Sequence, residues 1–136
     1  MNTRSGRGRQ ALSMVALFLV AAPFRGLAQT SCPVALVSAK VENDTIQVEF
    51  RNKGKVPIEQ LSLACSPAPK GAIHGAPCHV ETGIFYPSSV GWLKIEYPNA
   101  SRHPIEISIT QLRMAGGTLW QPGASSLCKP RRTTKN

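Results

Sequence analysis

Between residues 33 and 120 apolar and polar side chains alternate in a series of short runs, the period of a strand with one face buried and one in water. The clearest case is residues 45–65. Ile46, Val48 and Phe50 fall on one side and Gln47, Glu49 and Arg51 on the other, and Leu61, Leu63 and Cys65 resume the alternation after a break. The break contains Asn52, Gly54 and Pro57, where glycine can take a positive φ and proline pre-sets φ for the returning strand. Two strands joined by a loop follow from this. Their common apolar face must be covered by a second layer.

The rest of the chain repeats the theme. Val37, Ala39 and Val41 alternate with Ser38, Lys40 and Glu42, and Asn43-Asp44 turns the chain into the central ribbon. Residues 66–77 hold Pro67, Pro69, Gly71, Gly75 and Pro77, which predicts an irregular connection. Strands are expected again over 78–86, over 91–97 with Leu93, Ile95 and Tyr97 on one face, and over 105–114. In the last of these Ile105, Ile107 and Ile109 occupy odd positions but Leu112 and Met114 even ones. A strand of period two would put one set in water, so a β-bulge near Thr110-Gln111 is predicted. Gly116-Gly117 signals a hairpin into Thr118, Leu119 and Trp120, with Trp120 in the core.

Seven short strands with turn signals every eight to twelve residues predict an all-β, two-sheet sandwich of immunoglobulin-like, Greek-key type, with a small barrel as the alternative. The antibody spacing of cysteine, tryptophan, cysteine is not met. The segment VEFRNKGKVPIEQL resembles the strand, Asn-x-Gly turn, Pro-Ile, strand signature of small exported bacterial domains of immunoglobulin-like or fibronectin-III-like type. MAGGTLWQP is similar to their closing hairpin, with Ala115-Gly116-Gly117 where those relatives often carry Ala-Asp-Gly. The resemblance implies a fold and an extracytoplasmic (periplasmic or secreted) location, and no assigned chemistry.

Charge and targeting refine the domain limits. Arg4, Arg7 and Arg9 precede an apolar run over 11–22 that is broken by Pro23 and followed by Gly26-Leu27-Ala28. This order predicts a signal peptide over residues 1–28. The run is shorter than the roughly 20 residues a membrane crossing needs, so no transmembrane anchor is expected. The formal net charge of +9 is concentrated at the ends. Residues 29–128 hold eight basic residues against all seven acids, and no basic patch interleaved with stacking aromatics marks a nucleic-acid binder. Lys129, Arg131, Arg132 and Lys135 fall in residues 129–136, expected to be a basic, disordered tail.

The four cysteines, Cys32, Cys65, Cys78 and Cys128, all follow the signal-like segment. An even count in an exported chain points to two disulfides in an oxidising compartment. Of the three pairings, Cys32 with Cys128 and Cys65 with Cys78 are favoured, the first joining the domain's ends and the second closing the Pro/Gly-rich loop.

Catalytic sets are scarce. Asp44 is the single aspartate and sits in a turn, Gly-x-Ser-x-Gly does not occur, and Glu49, Glu96 and Glu106 fall on outward strand phases. No catalysis and no cofactor are expected. His74, Cys78, His79, His103 and Met114 suggest a copper or zinc site, chiefly through His74 and His79, as an alternative. Cys78 is better used in a disulfide, and neighbouring Cys78 and His79 point to opposite strand faces. Trp92 lies on the phase opposite Leu93, Ile95 and Tyr97, so it is expected outside, near Tyr86, where aromatics stack on sugar rings or anchor a protein. The expected role is a binding or structural accessory domain whose partner is another extracytoplasmic protein.

Overall fold

The computed structural model describes residues 31–68, 75–123 and 128–136; the signal-like segment and His74 lie outside them. Alternation becomes strand wherever the sequence shows it: β1 (Val34–Glu42), β2 (Thr45–Asn52), β3 (Ile58–Pro67), β4 (Ala76–Phe85), β5 (Val90–Glu96), β6 (Ile105–Met114) and β7 (Leu119–Trp120). Two further short strands follow, β8 (Arg131–Arg132) and β9 (Thr134–Lys135). Among the described residues there is no helix. One sheet runs β5-β2-β1-β9; the other runs β4-β3-β6-β7, with β8 also paired to β6.

The facing sides of the two sheets supply the core. Ile46, Val48 and Phe50 from β2 and Leu93 and Ile95 from β5 are buried with Leu61 and Leu63 from β3 and Ile105, Ile107, Ile109 and Leu112 from β6. The phase change in β6 is accommodated by a bulge. Ser62 pairs with Gln111 but Leu63 with Ile109, so Thr110 is the extra residue. Its side chain is exposed and its Oγ1 donates to the Ser62 carbonyl at 3.2 Å. The inserted residue lets Ile109 and Leu112 face the same interior.

Two disulfides join Cys32 to Cys128 and Cys65 to Cys78. The second sits where β4 departs from simple alternation. Leu63 pairs with His79 and Ala64 with Pro77, leaving Cys78 in a bulge beside β3. Farther along, Ile58 pairs with Phe85 and Gln60 with Thr82, a second irregularity, after which Phe85 reaches the core and meets Phe50 edge-on at 4.9 Å between centroids. Pro67 and Pro77, expected in an irregular connection, instead lie within strands. Pro67 terminates β3 and Pro77 sits on edge strand β4, positions that tolerate a missing N–H.

The expected disordered tail is corrected by the structure. Arg131 and Arg132 pair antiparallel with Ile107 and Glu106, and Thr134 and Lys135 pair parallel with Lys40 and Val41. Thr133, between them, is buried; its N–H donates to the Ile105 carbonyl at 2.8 Å and its Oγ1 accepts from the Ile105 N–H at 2.8 Å. The segment thus passes from one sheet to the other. Charge composition suggested a solvated end, but the basic side chains are on the outside while the backbone is held by the ladder and by Cys128.

Candidate functional site

Strand pairing leaves four edges, and three of them are interrupted or covered. β4 carries Pro77 and two register shifts. β1 shifts register between Leu36 and Ser38, and β9 lies against its Lys40–Val41 end. β6 is flanked by β7 and β8. Bulges, prolines and short covering strands are the usual means of blocking edge pairing. Among the described residues β5 has no bulge, proline or covering strand; the one such device it carries is charge, Lys94 and Glu96 on its exposed phase. It pairs with β2 in unbroken register from Thr45 with Glu96 to Arg51 with Val90, and among the described residues no strand pairs with its other side.

The local sequence explains why β5 lies close to the core. Leu93 and Ile95 are buried, while Val90, Trp92, Lys94 and Glu96 are exposed. Gly91 is required by packing: a Cβ there would overlap the Phe50 ring. The Phe50 ring therefore occupies the inner-face position at Gly91, and the strand lies directly over it.

On the outer face, Trp92 is 61% exposed and stands opposite Glu49 of β2, whose carboxylate accepts from Ser38 Oγ at 3.3 Å. Lys94 stands opposite Gln47, and Val90 opposite Arg51. At the end of the strand the Thr45 hydroxyl lies 3.3 Å from each Glu96 carboxylate oxygen. Tyr86, 62% exposed, lies in the turn that enters β5, where Ser88 takes a φ of 66°. Trp92 is on the strand and Tyr86 in the turn before it, and no ring contact joins them among the described residues.

The other chemistry-bearing residues are dispersed. His79 Nε2 and Glu81 Oε2 are 2.7 Å apart on the inward phase of β4, opposite Leu63 and Leu61. Cys78 is committed to its disulfide, His103 is exposed in the loop before β6, and Met114 is buried at the far end of β6 beside Ile58. Among the described residues no three His, Cys, Asp or Glu side chains form a metal-binding group. Asp44 Oδ1 accepts from the Asn99 N–H at 3.0 Å, tying the β1–β2 turn to the loop after β5. Asn43 and Asn99 both take positive φ in turns, 56° and 62°. Two recesses flank Cys32, of about 340 and 370 Å³, and bring Lys53, Lys55 and Lys129 to their walls with no acid or histidine.

Sequence reasoning identified the exposed phase of Trp92 but not the edge position of β5, which is set by the order of strands in the sheet. The local signal was present. Lys94, exposed within β5, is the kind of charged residue that sheet edges carry. Among the described residues no helix is long and apolar enough to cross a membrane.

No family model matches the chain, and no curated protein matches it. Among solved structures the chain is similar to a selenomethionine-labelled β-glucosidase from Kluyveromyces marxianus, at 12% identity and a TM-score of 0.37. The alignment covers 76% of this chain, and the chain spans 14% of the length of that one.

Proposed function

We propose that this chain is an exported, non-catalytic binding domain of immunoglobulin-like or fibronectin-III-like build, and that β5 receives an extended segment of another polypeptide chain as an added strand. The observation that carries the proposal is the seven-residue edge of β5, unbroken in register and lacking a pairing strand on its outer side among the described residues. An added strand takes its affinity from main-chain hydrogen bonds and its specificity from alternate side chains. Here those would be Val90, Trp92 and Lys94 on the outer face, with Trp92 as the aromatic anchor. The immunoglobulin-like assignment is supported by the chain path. It crosses between sheets from β2 to β3, from β4 to β5 and from β5 to β6, as in Greek-key sandwiches. Export is supported by the signal-like segment and by two disulfides, which suit an oxidising compartment. The non-catalytic reading is supported by the use of the single aspartate as a turn acceptor.

Selection of phage-displayed peptides on the oxidised domain tests the reading. Selected peptides are expected to be extended, to protect β5 amides from exchange and to quench Trp92. Trp92→Ala should weaken them about tenfold or more, the size expected on losing an aromatic hot spot. Peptides that protect another region and ignore Trp92→Ala would overturn the assignment of β5.

A further inference from the structure

The exposed pattern of β5 is complementary to itself. We infer that the partner of β5 is a second copy of this chain, paired antiparallel about a twofold axis at Leu93, an inference resting on the reading of β5 as the binding edge. Leu93 is the central residue of the seven in Val90–Glu96, so this register pairs the full strand. It sets Val90 opposite the partner's Glu96, Gly91 opposite the partner's Ile95, and Trp92 opposite the partner's Lys94. Directly opposed residues of antiparallel strands share a face, so Trp92 and the partner's Lys94 meet on the outer side, twice by symmetry.

An ammonium beside an indole is attractive, most strongly with tryptophan. Shifting the axis one residue to Lys94 would oppose two lysines and shorten the pairing, which like charges disfavour. Placing it at Trp92 would oppose Val90 and the partner's Lys94 and also shorten it. Charge and strand length therefore select the same register. The inner face also suits this register, because the minimal side chain at Gly91 falls opposite the larger Ile95. The product is one continuous sheet made from two β5-β2-β1-β9 sheets, with the basic C-terminal strands at its outer limits. This separates the positive ends of the two copies, a favourable arrangement for a chain whose excess charge lies there.

Sedimentation velocity and native mass spectrometry of the oxidised mature domain test the inference. A dimer is expected, with β5 amides gaining exchange protection as concentration rises. Trp92→Lys opposes like charges at both symmetry-related positions and should weaken the dimer about tenfold or more. Adding Lys94→Glu to that variant restores opposite charges and should recover dimerisation. Both positions are exposed, and an unchanged circular dichroism spectrum verifies the fold. A wild-type domain that stays monomeric to millimolar concentration overturns the inference, as does a dimer indifferent to Trp92→Lys. If the monomeric domain nevertheless binds a selected peptide along β5, the homodimer alone is wrong; if no peptide protects β5 either, the strand-addition reading falls with it.

Discussion

Asn52→Asp should destabilise the domain by about 4 kcal/mol at neutral pH, a large fraction of the stability of a small domain. Asn52 has no solvent exposure. Its Nδ2 donates to the Val56 carbonyl at 3.0 Å and to the Phe85 carbonyl at 2.9 Å, and its Oδ1 accepts from the Gly54 N–H at 2.9 Å. The backbone of Asn52 is also engaged with the β4–β5 turn, donating to the Ser89 carbonyl at 3.1 Å and accepting from the Ser88 N–H at 2.8 Å. One side chain thus fixes the β2–β3 loop and connects it to the end of β4. Aspartate retains the shape and the bond from Gly54 but loses both donors, turning a carboxylate oxygen toward two carbonyls. Asn52→Ala removes all three side-chain bonds and should cost about 3 kcal/mol, because buried groups left unpaired carry a desolvation penalty.

The two substitutions separate by pH. Burial against carbonyl oxygens raises the affinity of the introduced carboxyl for its proton in the folded state. Between the unfolded and folded pKa values the folded variant binds more protons, so its stability falls as pH rises through that window. The deficit of Asn52→Asp relative to wild type should therefore shrink as pH is lowered toward about 4, while that of Asn52→Ala should not. Urea melts at several pH values measure this directly. An aspartate variant as stable as wild type at pH 7 would contradict the buried, fully bonded position of Asn52.

Cys32→Ala combined with Cys128→Ala should cost about 5 kcal/mol, against about 3 kcal/mol for Cys65→Ala combined with Cys78→Ala. The first bridge spans 96 residues and the second 13, and chain-entropy arguments give the longer ring the larger effect. The two losses should also differ in kind. Cys128 lies three residues before β8, and beyond it the C-terminal segment is held by two short ladders and Thr133. Without the bridge those few bonds must hold the end alone. Trypsin should then cut at Arg131 and Arg132 well before the domain unfolds, whereas removal of the second bridge should leave those sites protected. Equal cutting in both variants would show that the bridge does not anchor the tail.

Much of the architecture was legible because burial on one face imposes period two. The odd positions of Ile105, Ile107 and Ile109 and the even ones of Leu112 and Met114 placed a bulge near Thr110-Gln111, and the register makes Thr110 the extra residue. The even cysteine count pointed to two disulfides, and two are present. The C-terminal segment was misread because its strands are only two residues each and carry basic side chains outside. Its order comes from backbone pairing and from Thr133, neither of which produces a hydrophobic period. Asn52 was recognised as turn chemistry, but its role depends on the Phe85 carbonyl, 33 residues away. The edge status of β5 was hidden for the same reason, since it depends on the order of strands and on which neighbours carry bulges.

Whether one side of the sandwich is closed by its own C-terminus while β5 stays open is tested most directly by amide hydrogen exchange, at a dilution where the domain sediments as a monomer. The expected result is slow exchange at Ile105 and Thr133, in step with the central strands, and fast exchange at the β5 amides that point away from β2. Free-chain exchange at Thr133 together with protection along the outer side of β5 would contradict the account.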